Sequence, residues 1–354
     1  MSIMRWLAVI ALLAGCVPAD SAQDRHGVIL LYHHVSDETP PSTSVTPERF
    51  EAHLDYLDQH DFEIWPLERL LTATIDGEEA VPDKVVAITF DDAYESVYTE
   101  AWPELRERGW PFAVFVNTDA VDAGHSPYMD WEQLRTLHED GVTIGNHSAS
   151  HGHLIARRDG ERESDWEKRV EADIERADRG ISEEIGVEPV VFAYPYGEDS
   201  AALAEVVGDQ HEFALAQRSG AVGEYTDPLS VPRFPMASGF DGMDRFALAV
   251  NARPLPVIDS EPSPPGDGVR EPVESLRLKL ADGGYRHGQI ACFSGGGERL
   301  NVALEEGPPH RLDITIGGRG STGRKKINCT APAADGSGDY FWYSFQWVQD
   351  AVRD

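Results

Sequence analysis

The sequence predicts an α/β protein, a barrel or doubly wound sheet, followed by a small all-β unit. Three observations carry this reading. Short, continuously apolar runs of strand length alternate with helical stretches up to about residue 250, as in a parallel sheet covered on both faces. Prolines then crowd the chain between Pro254 and Pro272. Beyond them apolar residues recur with period two between glycine pairs, the pattern of half-buried antiparallel strands.

The apolar runs are Val28 to Tyr32, Val85 to Phe90, Phe112 to Val116, Val142 to Gly145, Val190 to Ala193 and Phe213 to Ala216. Between the first two, Thr46 caps and Pro47 opens a helix striped by Phe50, Leu54 and Leu57. Trp131, Leu134 and Leu137 repeat the stripe before the fourth run, and the charged stretch Ser164 to Ile185 reads as a third helix. In such a fold catalytic side chains sit at the C-terminal ends of the strands.

Pro254, Pro256, Pro262, Pro264, Pro265 and Pro272 mark residues 254–272 as a linker unable to sustain a helix or a sheet interior. The catalytic unit is therefore expected over 27–253 and a β-sandwich-like accessory domain over 273–354. Within the latter, Leu276 to Leu280 and Leu312 to Ile316 alternate strictly, with Gly283-Gly284, Gly295 to Gly297 and Gly317-Gly318 as turns. The aromatic run Tyr340 to Trp347 admits two readings, a sugar-stacking platform or a strand sealing the sandwich core. The domain itself is expected to bind carbohydrate, with docking to secretion partners as the rival role.

Acidic residues outnumber basic ones 62 to 30, for a formal charge of -32, which repels nucleic acid and anionic membranes alike. The first residues indicate export. Arg5 precedes an apolar run from Trp6 to Leu13, too short for a permanent span, and Leu13-Ala14-Gly15-Cys16 resembles a bacterial lipobox. Residues 1–16 are thus expected to be a lipoprotein signal ending at a lipidated Cys16, the only link to a membrane, with 17–26 as tether. The location implied is periplasmic or cell-envelope, anchored in the outer membrane. In that oxidising compartment the remaining pair, Cys292 and Cys329, is expected to form a disulfide.

Four motifs gather chemistry at strand ends. Thr89-Phe90-Asp91-Asp92 closes an apolar strand with adjacent carboxylates, which serve one site only where the backbone turns; capping of the following helix by Asp92 is the alternative. In Asn146-His147-Ser148-Ala149-Ser150-His151 two imidazoles four apart could meet one ion from a single helical turn, and His153 falls off that pair. One carboxylate with two imidazoles and open positions suits catalytic Zn²⁺ or a related first-row ion. Phe192-Ala193-Tyr194-Pro195-Tyr196-Gly197 would wall a cleft, and Tyr32-His33-His34-Val35 ends the first strand.

Together these motifs resemble the polysaccharide deacetylases, the family 4 carbohydrate esterases with a NodB homology domain, over roughly residues 27 to 250. The Tyr-His-x-Val and Ala-Tyr-Pro-Tyr-Gly forms look most like the branch acting on poly-β-1,6-N-acetylglucosamine. The resemblance implies a distorted (β/α)7 barrel and one divalent ion, Zn²⁺ first, with Co²⁺, Ni²⁺ or Fe²⁺ as alternatives. It assigns Asp92, His147 and His151 to the metal, Asp91 to the general base and the Tyr196 N–H to the oxyanion. Tyr194, Pro195 and Trp131 join Tyr196 as substrate-contacting candidates.

Two departures stand out. Ala193 occupies the place of an arginine that orients the base. Leu215-Ala216-Gln217 lacks the histidine of a Leu-x-His motif, which transfers the acid role to His33, with His34 and His211 as weaker substitutes. The implied partners are an acetylated polysaccharide and exopolysaccharide export machinery. Other acetylated glycans (chitin oligomers, peptidoglycan, xylan esters) and a catalytically silent sugar-binding lipoprotein are the competing readings.

Overall fold

The computed structural model describes residues 25–77, 79–124, 126–262, 273–317 and 323–349. The export signal, Cys16 and the tether up to residue 24 lie outside the described residues.

Strands His26–Tyr32, Val85–Phe90, Ala113–Val116, Thr143–Asn146, Val191–Ala193 and Phe213–Leu215 pair in that order, all parallel. The chain then returns to its start. Val231 bridges Leu215 and Phe234 pairs with Leu30, so the sheet curls back onto its first strand. His26 already pairs with Gly223, which ends the tether before residue 26.

These strands are continuously apolar because both faces are covered. On one face Leu30, Ile88, Phe90 and Val114 pack with Phe50, Leu54, Leu134 and Leu137 of the flanking helices. On the other, Ile29, Ala87, Ala113, Phe115, Val191 and Leu215 form a separate buried cluster. Each helix starts as its sequence dictates. The Thr46 hydroxyl accepts from the Arg49 N–H at the head of Pro47–Gln59, and Asp130 with Gln133 forms a reciprocal capping box on Trp131–Glu139. The long helix Glu163–Ile185 buries Trp166, Val170, Ile174, Ala177 and Ile181 and ends at Gly186, where φ is 87°.

After residue 250 two four-stranded sheets share one core built from Leu276, Leu278, Leu312 and Ile314 on one side and Ile327, Ala331, Phe345 and Trp347 on the other. Cys292 and Cys329, paired across neighbouring strands, form a disulfide at 2.04 Å.

Two sequence expectations change here. Part of the proline-rich segment is strand: Arg253–Pro254 pairs with Phe341 and Trp342, and Val257–Glu261 pairs with Ser275–Leu280. Both are edge strands, where a missing proline N–H costs no ladder bond. Residues 263–272 lie outside the description. The aromatic strand Tyr340–Gln349 is no open platform, because it lies inside its sheet and Phe341, Phe345 and Trp347 are buried in the sandwich core. Its opposite face meets the α/β unit. There Trp342 packs edge-on against Phe234, and Ser344 and Gln346 donate to the carbonyls of Ser219 and Gly197.

Candidate active site

Strand Val85–Phe90 delivers Asp91 and Asp92 to the rim, and the backbone turns there at once: Asp92 and Ala93 have φ of 73° and 55°. That left-handed turn lets neighbouring carboxylates serve one site, and it is not a helix cap. The same device recurs at the other rim loops. Among the described residues six non-glycine positions have positive φ, and five of them, Asp92, Ala93, Ser148, His151 and Tyr196, belong to these loops. Strain held this way, about 1–3 kcal/mol per residue, persists where the surroundings over-determine it and clusters at functional sites.

Asp92, His147 and His151 converge. Asp92 Oδ1 lies 3.0 Å from His151 Nε2 and 3.5 Å from His147 Nε2, and one ligand atom from each residue falls within 4.8 Å of the others. Strand end Thr143–Asn146 places His147. Its Nδ1 donates to the Ala193 carbonyl at 2.7 Å, which leaves the Nε2 lone pair facing Asp92. The two histidines do not share a helical turn. Ser148 and His151 both adopt left-handed backbone, fixed by Asn146 Oδ1 accepting from Ser148 N and Ser148 Oγ accepting from His151 N. A tight loop thus achieves the convergence expected of a helix. Asn117 Nδ2 donates to Asp92 Oδ1 at 3.3 Å and steadies the carboxylate.

Electrostatics keep this set ready for a cation. Burial pushes His147 down to about 4, so its imidazole is neutral at ordinary pH. Burial alone would raise Asp92, but the His151 hydrogen bond and the His147, His151 and His33 rings hold it well below the carboxylate range. His151 is raised in turn, because Asp92 and Asp91 outweigh its burial. A deprotonated carboxylate beside two imidazole nitrogens fits a first-row divalent ion.

Asp91 stands beside this cluster and outside it. It is 1% exposed, and Arg233, 0% exposed, grips both of its oxygens at 2.7 and 2.8 Å. Arg233 is itself held in place: Nε donates to Ala216 O and Nη1 also to Thr89 Oγ1. Against its burial, the Arg233 charge and the rings of His147 and His33 keep the Asp91 carboxyl below its ordinary range. The family arginine missing at Ala193 therefore has a counterpart from residue 233. Sequence reasoning overlooked it, although a cation inside the apolar run Val231 to Met236 was the available signal.

The remaining candidates separate. His33, half-buried, lies 3.3 Å from Gln217 Nε2 and bears electrostatically on both Asp91 and Asp92. Gln217 thus stands where the family histidine is missing. Gln217 also packs directly on Gly197, where a Cβ would fall 2.0 Å from Gln217 Cβ. His34 is buried and stacks on Tyr94 at 3.5 Å, and burial pushes it to about 4. His211 turns away to Asp178. His153 bonds Glu198 and stacks under Tyr196, whose ring is 41% exposed and 4.7 Å from that of His151.

Tyr194 is 0% exposed with its hydroxyl on Leu229 O, and Pro195 is buried, so neither side chain presents a surface to substrate. Their apolar surroundings claim them for the core. Trp131 heads its helix with its indole on Asp122, partly packed against the sheet-helix core. The aromatic that sequence reasoning missed is Tyr94, whose hydroxyl feels the Asp92 charge and whose ring stacks against Tyr128 at 5.1 Å.

A carboxylate-histidine cluster able to hold a cation, with a separately ionised carboxylate beside it at the strand ends of a curled α/β sheet, is an arrangement suited to metal-assisted hydrolysis. Residues 78–211 match the family model for polysaccharide deacetylase. A Bacillus subtilis protein named as a polysaccharide deacetylase, YxkH, is 25% identical over 218 residues, covering 60% of this chain and 72% of the relative. Poly-beta-1,6-N-acetyl-D-glucosamine N-deacetylase of Staphylococcus aureus is 24% identical over 210 residues, 57% of this chain and 71% of the relative. Among solved structures, IcaB from Ammonifex degensii superposes with a TM-score of 0.56 at 25% identity, covering 64% of this chain and 97% of that one. Streptococcus pyogenes deacetylase PplD, solved with acetate, gives 0.57 at 17% identity over 64% and 98% of the two chains, a likeness of fold. The likeness to polysaccharide deacetylases thus spans residues 78–211 in the family model and extends over about 60% of the chain in its relatives.

Proposed function

We propose that the protein removes N-acetyl groups from a poly-β-1,6-N-acetylglucosamine-like exopolysaccharide and releases acetate. The observation that carries this reading is the Arg233-clamped Asp91 beside the cluster of Asp92, His147 and His151. The glycan follows from the S. aureus relative named for that polymer. We read the curled sheet as the distorted (β/α)7 barrel of the family, with residues 273–354 as an accessory domain.

Amide hydrolysis needs an activated water, a home for the oxyanion and a proton for the leaving amine. Asp92, His147 and His151 would hold the ion, Zn²⁺ first among first-row candidates, and the bound ion supplies Lewis acidity toward both water and the amide carbonyl. Asp91, ionised and excluded from the cluster, takes the proton of the attacking water. The Tyr196 N–H, presented by a left-handed residue next to His151, is assigned to the oxyanion. His33 is assigned to deliver the proton to the sugar nitrogen. Tyr196, exposed at the rim, offers a ring for stacking on the sugar. Export through the Cys16 lipobox would place the enzyme in the cell envelope beside the machinery that moves the polymer.

The test is acetate release from β-1,6-linked N-acetylglucosamine oligomers by the metal-loaded protein, with chitin oligomers, peptidoglycan and acetylxylan as comparators. Release from the β-1,6 oligomers above the comparators supports the assignment; release from another glycan alone reassigns the substrate; no release with full metal occupancy leaves a silent sugar-binding protein.

A further inference from the structure

The second sheet unit carries a cluster that the deacetylase reading does not use. Asp282 lies two residues beyond Leu280, which pairs across the sheet with His310, the first residue of its strand. His287 opens a short turn, His287–Gln289, on the crossing from this sheet to the strand Ala291–Ser294 of the other. The fold thus brings together three residues from two connections. His310 Nε2 lies 2.8 Å from Asp282 Oδ1, the His287 and His310 rings are 4.1 Å apart, and one ligand atom from each residue falls within 4.8 Å of the others.

One atom here stands out. His287 Nε2 is buried and has no hydrogen-bond partner. Buried polar atoms are almost always satisfied, so an orphan beside a carboxylate and a second imidazole calls for an explanation. The neighbouring loop is firmly held, since the Tyr285 ring packs 4.5 Å from that of His287 and its hydroxyl donates to the Ala281 carbonyl.

We propose that Asp282, His287 and His310 form a second cation site, distinct from the catalytic one, that takes a first-row divalent ion and ties the sheet-to-sheet crossing to the strand His310–Thr315. Two imidazoles and one carboxylate select Zn²⁺, Co²⁺ or Ni²⁺ over Ca²⁺ and Mg²⁺, which prefer all-oxygen shells. Without the ion, Gly307 N–H donates to His310 Nδ1 at 3.2 Å, so Nε2 carries the ring proton toward Asp282. Capture through Nε2 moves that proton to Nδ1 and breaks the Gly307 contact. Binding therefore has a local signature at the Gly307 amide.

The test uses the full chain with His147→Ala and His151→Ala, which removes the catalytic ligands, titrated with Co²⁺. One equivalent should bind, with a d–d spectrum, a raised melting temperature and a shifted Gly307 amide resonance. His287→Ala in the same background should abolish all four, and Asp282→Asn should weaken binding at least tenfold. No bound equivalent, or binding unchanged in both variants, overturns the proposal. Should the double-alanine background fail to fold, the parent chain decides: metal content falls from two equivalents to one on Asp282→Asn or His287→Ala, or the proposal is wrong.

Discussion

Arg233 and Asp91, 142 positions apart in the chain, face each other fully buried and bridged by two parallel hydrogen bonds of 2.7 and 2.8 Å. The fork geometry fixes the plane of the carboxylate, and the charge keeps it ionised. Arg233→Lys retains the charge but loses the fork, so kcat should fall about tenfold or more with metal content unchanged. Arg233→Met leaves a buried carboxylate unpaired, a defect typically worth about 3–5 kcal/mol. Because Asp91 works only when ionised and the Arg233 charge is the main influence lowering its pKa, the acid limb of the kcat/KM profile should move to higher pH in Arg233→Met and much less in Arg233→Lys, which keeps the charge. A pH–rate series on the metal-loaded proteins, with a limb that stays in place in Arg233→Met, would show that Arg233 does not hold the base.

Asp91 and His147 should divide the loss of activity differently. Asp91→Asn is nearly isosteric and lies outside the ligand set, so the protein should retain its metal while turnover drops about 10²–10⁴-fold, the usual contribution of a positioned base. His147→Ala removes a ligand and should lose metal and turnover together. Metal analysis beside acetate release separates these outcomes, and parental turnover in Asp91→Asn would remove Asp91 from the base role.

The strands and the cation cluster were legible in the sequence because each depends on local pattern. Continuous apolar runs fixed the parallel strands; Asp92 follows the end of one, and His147 and His151 follow the end of another. Arg233 was invisible for the opposite reason, since its meaning lies in a contact 142 positions away that only the closing segment Val231 to Pro235 creates. The His147 to His151 spacing misled in geometry: i, i+4 suits a helix, but the hydroxyl and amide of Ser148 and Asn146 offered the backbone a competing set of bonds. Pro254 reads as linker because a sequence does not reveal which strands lie at an edge.

The Cys292–Cys329 bridge closes a loop of sequence separation 37 inside a unit with a modest core. On the chain-entropy model a loop of that size is worth about 4 kcal/mol, more than most single contacts. Replacing both cysteines by alanine should lower the urea midpoint of the C-terminal unit, while the Asp92, His147 and His151 cluster, on the other unit, keeps its metal. An unchanged midpoint would mean that the sandwich core alone sets the stability of that unit.

Lys326 offers a titration at the seam between the two units. Its ammonium donates to the Gln217 carbonyl, and burial first, then the charges of Arg324 and Arg218, push it down to about 7 against an opposing pull from Asp199. The unfolded chain holds this proton up to about 10.5. Between those values the unfolded state binds more protons, so stability rises as pH climbs from 7 to 10.5 and is lost as pH falls back through 7. Lys326→Met removes the group from the balance. Its melting temperature should exceed that of the parent at pH 6, and the gap should close as pH approaches 10.5. Parallel curves across that window would show that Lys326 keeps its ordinary affinity for a proton when the units are docked.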